Sequence, residues 1–114
     1  MFTLSGRKFQ SIVDMAVEEL PDELKTSIEE IDVIVSNIAN KSDLLGTNIE
    51  DEIDLISLFE NVPKSEIYQP DHILRGQLTI FKMAIEKMCT DESEILEHVS
   101  NTIQEELTYE AHLQ

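Results

Sequence analysis

The stretch DESEILEHVSNTIQEELTYEAHL, Asp91 to Leu113, constrains this chain most. Its apolar residues Ile95, Leu96, Val99, Ile103 and Leu107 recur at steps of three and four. That spacing lays one apolar stripe along an α-helix. Thr90 stands where an N-cap belongs, and Asp91 and Glu92 suit the positive end of the helix dipole. At about 100° per residue, Glu106 falls inside the arc set by Ile95, Val99 and Ile103. A carboxylate turned to the core needs a partner or a wet pocket, because burying it alone is costly. The helix is therefore expected to pack on the rest of the domain while carrying a polar group into a cleft.

The remaining chain reads as helices and strands. Ser5 to Leu20 is expected to be a helix, with Ser5 as N-cap and Phe9, Ile12, Val13, Ala16, Val17 and Leu20 on one face. Pro21 ends it and opens a short second helix, Pro21 to Ile28, with Asp22 and Glu23 in its first turn. Ile31, Val33 and Val35 alternate with Asp32, Ile34 and Ser36. This is strand composition with β-branched residues on both faces, so the strand is expected inside a sheet. Asn37 to Asp51 reads as a polar loop with one helical turn at Ser42 to Leu45. Leu55 to Phe59 reads as a second strand broken by Asn61, Val62 and Pro63, and Lys64 to Asp71 as a loop. His72 to Arg75 is expected to be a third strand stopped by Gly76, and Gln77 to Met88 a helix on the spacing of Leu78, Ile80, Phe81, Ala84, Ile85 and Met88. The order of elements predicts an α+β domain with helices packed on a small sheet of three or four strands.

A chain of 114 residues that is 41% apolar can fold as one domain, residues 1–114. The charge decides which partners suit it. With 24 acids against 8 bases the net charge is −16. Nothing here could neutralise a run of phosphates, so nucleic acid and anionic membrane surfaces are poor partners. A basic protein is an admissible partner, and a solvated acidic surface is the plainer reading. Cys89 is the single cysteine, which excludes an internal disulfide and a thiolate metal cluster and leaves a core thiol. MFTLSGRKFQ lacks a signal-peptide apolar run, and no segment approaches the ~20 apolar residues of a membrane span. A cytoplasmic location is expected. The oligomeric state is not written in the sequence.

Few chemical motifs stand out. Glycines at 6, 46 and 76 make no phosphate loop, and the acids show no calcium-loop pattern. No nucleophile elbow is visible. His72, His98 and His112 are too far apart in sequence for any two to share a metal from one helix turn. They read as surface or hydrogen-bonded residues.

Several segments together resemble the small bacterial zincin-like metallopeptidases, a family with a minimal zinc-protease fold. FQSIVDMAVEELPDEL is similar to the opening helix with its Leu-Pro end, here Leu20 and Pro21. IDVIV resembles the first strand, DLISLFENVP (Asp54 to Pro63) the following segment, and PDHIL (Pro70 to Leu74) the next strand start. VSNTIQEELTYEAH sits where the family carries its H-E-x-x-H helix. The likeness runs from Phe9 to about His112, and it rests on order and spacing rather than on any one piece.

The resemblance implies a zincin-like α+β fold with the last helix in the position of the zinc-binding helix. It also implies zinc as the family's cofactor. Thr102, Ile103 and Leu107 take the small polar and apolar positions around the site. In that register Glu106 keeps the catalytic glutamate, Glu105 replaces the first histidine and Tyr109 the second. His112 falls where the family has a glycine, and the third ligand would lie beyond Gln114. A shift by one residue selects Gln104, Glu105 and Thr108, again without histidine and without the apolar agreement.

H-E-x-x-H works because residues four apart on a helix face one way, so two imidazoles grip one zinc while the glutamate polarises its water. Glutamate can ligate zinc; a phenol ligates only once the metal has displaced its proton. One carboxylate and one phenol hold zinc far more weakly than the intact pair. No cofactor is therefore expected. Glu106 is left as a vestige of a catalytic site, or simply as a carboxylate bonded to Tyr109, Arg75 or a backbone amide. The leading expectation is a non-catalytic zincin-like domain that acts by binding a peptide or protein. One alternative is a divergent metal-dependent peptidase using Glu105, Tyr109 and a ligand such as His72 or His98. The other is an acidic interaction domain for a basic partner.

Overall fold

A computed structural model describes the backbone over residues 2–61 and 76–112, with side chains to residue 109. Among the described residues four α-helices, two 3-10 turns and three strands follow one another. Helix α1 spans Gly6–Glu18, and the Ser5 hydroxyl accepts from the Lys8 amide as its N-cap, as the sequence leads one to expect. Pro21 precedes α2, Asp22–Ile28, whose first turn carries Asp22 and Glu23. Strand β1 is Ile31–Ser36. The polar connection then makes 3-10 turns at Lys41–Leu44 and Glu52–Asp54. The first is held by a reciprocal cap between Asn40 and Asp43. β2 is Ser57–Asn61 and β3 is Gly76–Phe81. A short helix α3, Lys82–Glu86, leads to α4, Glu92–His112.

The sheet has the order β1-β3-β2, with β1 parallel and β2 antiparallel to β3. Three sequence expectations are corrected here. The expected helix from Gln77 to Met88 is instead a strand followed by a single helical turn. Leu78 and Ile80 enter the main core while Phe81 enters a second cluster with Ala39, Leu55 and Ala84. A strand buried on both faces shows no alternation, so its apolar run imitates helical spacing. Gly76 is the first residue of β3. β1, expected inside the sheet, pairs only with β3 among the described residues and is an edge. Its residues after Ile31 are only half-buried or exposed, so β-branching there reflects strand propensity and not burial. Leu55 belongs to the second 3-10 turn's end, and β2 runs on to Asn61. The expected strand from His72 to Arg75 and the loop before it lie outside the described residues.

The core forms where α1 and α4 cover one face of the sheet. Phe9, Ile12, Val13 and Ala16 of α1 meet Ile95, Val99, Ile103 and Leu107 of α4, with Ile31, Leu78 and Ile80 beneath. The stripe on the last helix is therefore buried, and Leu96 lies at its half-buried margin. Cys89 is in this core, as expected. The start of α4 differs in one detail. Asp91, not Thr90, caps it by accepting from the Glu94 amide at 3.0 Å. That bond, then the Ser93 hydroxyl, holds the Asp91 carboxyl below its ordinary 3.8. Thr90 instead donates its hydroxyl to Glu94 Oε1. Among the described residues no helix is long and apolar enough to cross a membrane.

Candidate functional site on the last helix

Burial of Ile103 and Leu107 fixes how α4 is rotated, and the rotation decides what its neighbours face. Glu106 sits beside the stripe, half-buried. Its Oε1 accepts from the Ser57 hydroxyl at 3.3 Å. Ser57 opens β2 and lies opposite Ile80 in the register with β3. The carboxylate thus faces the start of an edge strand, consistent with the inward orientation that spacing alone predicts. The sequence reading offers Tyr109, Arg75 or a backbone amide as its partner; Ser57 is a further partner it does not name, and Arg75 lies outside the described residues. No local sequence signal links Ser57 to a residue so distant along the chain, so only the packing of α4 on the sheet exposes the pair.

Glu105 and Tyr109 are one helical turn apart on the outward side of α4. Glu105 is exposed, and Tyr109 retains 61% of its accessible surface. With Gln104 and Thr108 they line an open hollow of about 480 Å³. The histidine positions of both registers therefore fall on one surface, which Glu106 does not line. His98 is two turns back on the same helix, roughly 10 Å along the axis from Glu105, too far to join it on one ion whose bonds are about 2 Å long. His72 and the side chain of His112 lie outside the described residues.

The donors at this surface do not fit the tetrahedral zinc of the H-E-x-x-H chemistry. Zinc in a catalytic site takes three protein ligands, most often imidazoles or carboxylates. Here Glu105 and Tyr109 offer one carboxylate and one phenol, and Glu106 is turned to Ser57. Among the described residues no group of three or more His, Cys, Asp or Glu side chains is placed to hold a metal. What the arrangement can do is bind. It offers a phenol ring, one carboxylate and two uncharged polar side chains along one face of α4.

A second polar cluster lies away from this surface. Lys82 and Glu86 form an ion pair at 2.9 Å on α3, with side chains only 8% and 0% exposed. The Leu4 amide donates to the same Glu86 oxygen at 2.7 Å, and among the described residues Glu86 Oε1 has no hydrogen-bond partner. The sequence does carry a signal for this pair, a lysine and a glutamate four apart inside an apolar run, but helical spacing alone would place it on a surface. It anchors the N-terminal segment to α3.

A family model described as zincin-like metallopeptidase matches residues 28–112, from the end of α2 through α4. No curated protein matches the chain.

Proposed function

Because the chain belongs to the zincin-like metallopeptidase family, we propose that it is a member that no longer grips zinc and acts by holding a peptide or protein segment along α4. The observation that carries this reading is the state of the three motif positions. The glutamate is present, half-buried and bonded to Ser57, while the positions on either side of it carry an exposed carboxylate and an exposed phenol. Without zinc, Glu106 has no activated water to use as a nucleophile, and a carboxylate alone does not cleave an amide. The same scaffold still presents an open hollow along α4. Tyrosine is well suited to such a surface, since its ring binds apolar groups and its hydroxyl takes part in hydrogen bonds.

The test uses a mixed peptide library with added zinc. Mass spectrometry should find no new peptide termini, and the protein should retain a subset of intact peptides that the Tyr109→Ala variant releases. Cleavage that a chelator stops would favour the metal-dependent alternative instead.

A further inference from the structure

The edge of the sheet opposite Ser57 carries a different surface. β1 pairs with β3 on one side, and among the described residues no strand pairs with its other side. Beside it runs a groove of about 430 Å³ between α1, the end of α2 and β1. Val13, Val17, Ile28, Ile31 and Val33 form its apolar lining. Val13 and Ile31 are its buried floor, and Val17, Ile28 and Val33 are half-buried walls. Asp14 and Glu18, both exposed and one turn apart on α1, complete the lining among the described residues, none of which is basic. Gln10 donates to Asp14 Oδ1 at 3.0 Å, which orients that carboxylate.

We propose that β1 and this groove dock an extended basic segment of another protein, which adds as a strand to β1, sets an apolar side chain in the groove and places its cations on Asp14 and Glu18. Three features select this occupant. An open edge strand offers unpaired main-chain groups, the basis of strand addition. Natural edges are usually guarded by lysine, proline or a bulge, and β1 has none of these. Its one charge is Asp32, which is exposed. The apolar lining gives an alternate side chain a place to lose water. Sign then decides between partners. A second copy of this chain brings a net charge of −16 and a second Asp32 to the same edge, so self-pairing is repelled. A lysine- or arginine-bearing strand is attracted instead, and its arrival is hastened. This surface is independent of the reading given for α4, since it lies at the other edge of the sheet.

The test measures fluorescence anisotropy with a short labelled peptide in which one valine stands between two lysines at alternate positions, threonine filling the rest. The intact chain should bind this peptide, and bind it less well when the valine is serine or the lysines are glutamate. Asp14→Lys with Glu18→Lys should weaken binding about tenfold or more, while Glu50→Lys with Glu97→Lys, an equal change of charge elsewhere, should leave it within about twofold. Amide shifts in the NMR spectrum should move in β1 and in the groove-facing turns of α1. Equal loss from both charge pairs would reduce the attraction to net charge and overturn the proposal. So would absence of binding, shifts spread over the whole acidic surface, or a dimer in sedimentation that Val33→Lys dissociates. Loss of peptide retention in Tyr109→Ala with this binding intact would separate the two surfaces.

Discussion

Ser57, at the start of β2, donates its hydroxyl to Glu106 Oε1 on α4 across 3.3 Å. The bond joins an edge strand to the helix that carries the family's motif positions. Ser57→Ala should cost about 1 kcal/mol in urea unfolding, the worth of one ordinary hydrogen bond. Its circular dichroism should match the parent, because the buried stripe of α4 does not depend on that bond. A loss of helix signal in this variant would mean that the glutamate's contact orients α4, contrary to the packing described here.

The Phe59 ring covers Gly76 across the antiparallel pair. A β-carbon on Gly76 would lie 2.2 Å from Phe59 Cζ, closer than packed atoms approach. Phe59 pairs with Leu78, so Gly76 is its diagonal neighbour on the same face. Gly76→Ala should therefore destabilise the domain by about 1–2 kcal/mol, because the ring must swing aside. In a Phe59→Leu background the same substitution should cost clearly less. A double-mutant cycle on urea midpoints reads the coupling, and strict additivity would count against the contact.

Lys82 and Glu86 are buried together, and one Glu86 oxygen has no hydrogen-bond partner among the described residues. Lys82→Met should cost about 3–5 kcal/mol, because it strands a carboxylate in the core. Lys82→Met combined with Glu86→Leu should recover most of that loss. Thermal melts of the three chains check the ordering. Equal melting temperatures for the single variant and the parent would show that water reaches the carboxylate.

Burial pushes the Cys89 thiol above its ordinary 9.0, and the carboxylates of Glu94, Asp91, Glu86 and Glu97 push the same way. The folded chain then keeps its thiol proton at a pH where the unfolded chain gives it up. Fewer protons bound in the unfolded state means that stability falls as pH rises. The contribution is complete below pH 9.0 and is lost progressively above it. Alkylation of the native protein at neutral pH should be slow, and denaturant should accelerate it strongly. Cys89→Ser should flatten the alkaline limb of the stability curve. An unchanged limb would place the cause elsewhere.

Much of the helical framework could be read directly. α1, α2 and α4 show a stripe, a proline or an acidic first turn, and these local signals match what packing demands. The sheet was less legible. β3 is buried on both faces, so Leu78, Ile80 and Phe81 lose the alternation that marks a strand. β1 carries the same residue types at an edge, where tertiary position rather than sequence sets exposure. For the candidate site, spacing along one helix placed Glu106 inward and kept Glu105 and Tyr109 together. Its partner Ser57 and the groove beside β1 arise from segments distant in sequence, which periodicity cannot bring together.

The central claim concerns zinc, and calorimetric titration of the chelator-stripped protein tests it most directly. The exposed Glu105 and Tyr109 positions should give no tight one-to-one zinc binding, while Glu105→His with Tyr109→His should bind zinc measurably better, because two imidazoles one turn apart then face the same side. Tight one-to-one binding of zinc by the unmodified chain, with peptidase activity that appears on loading and disappears with chelator, would contradict the account.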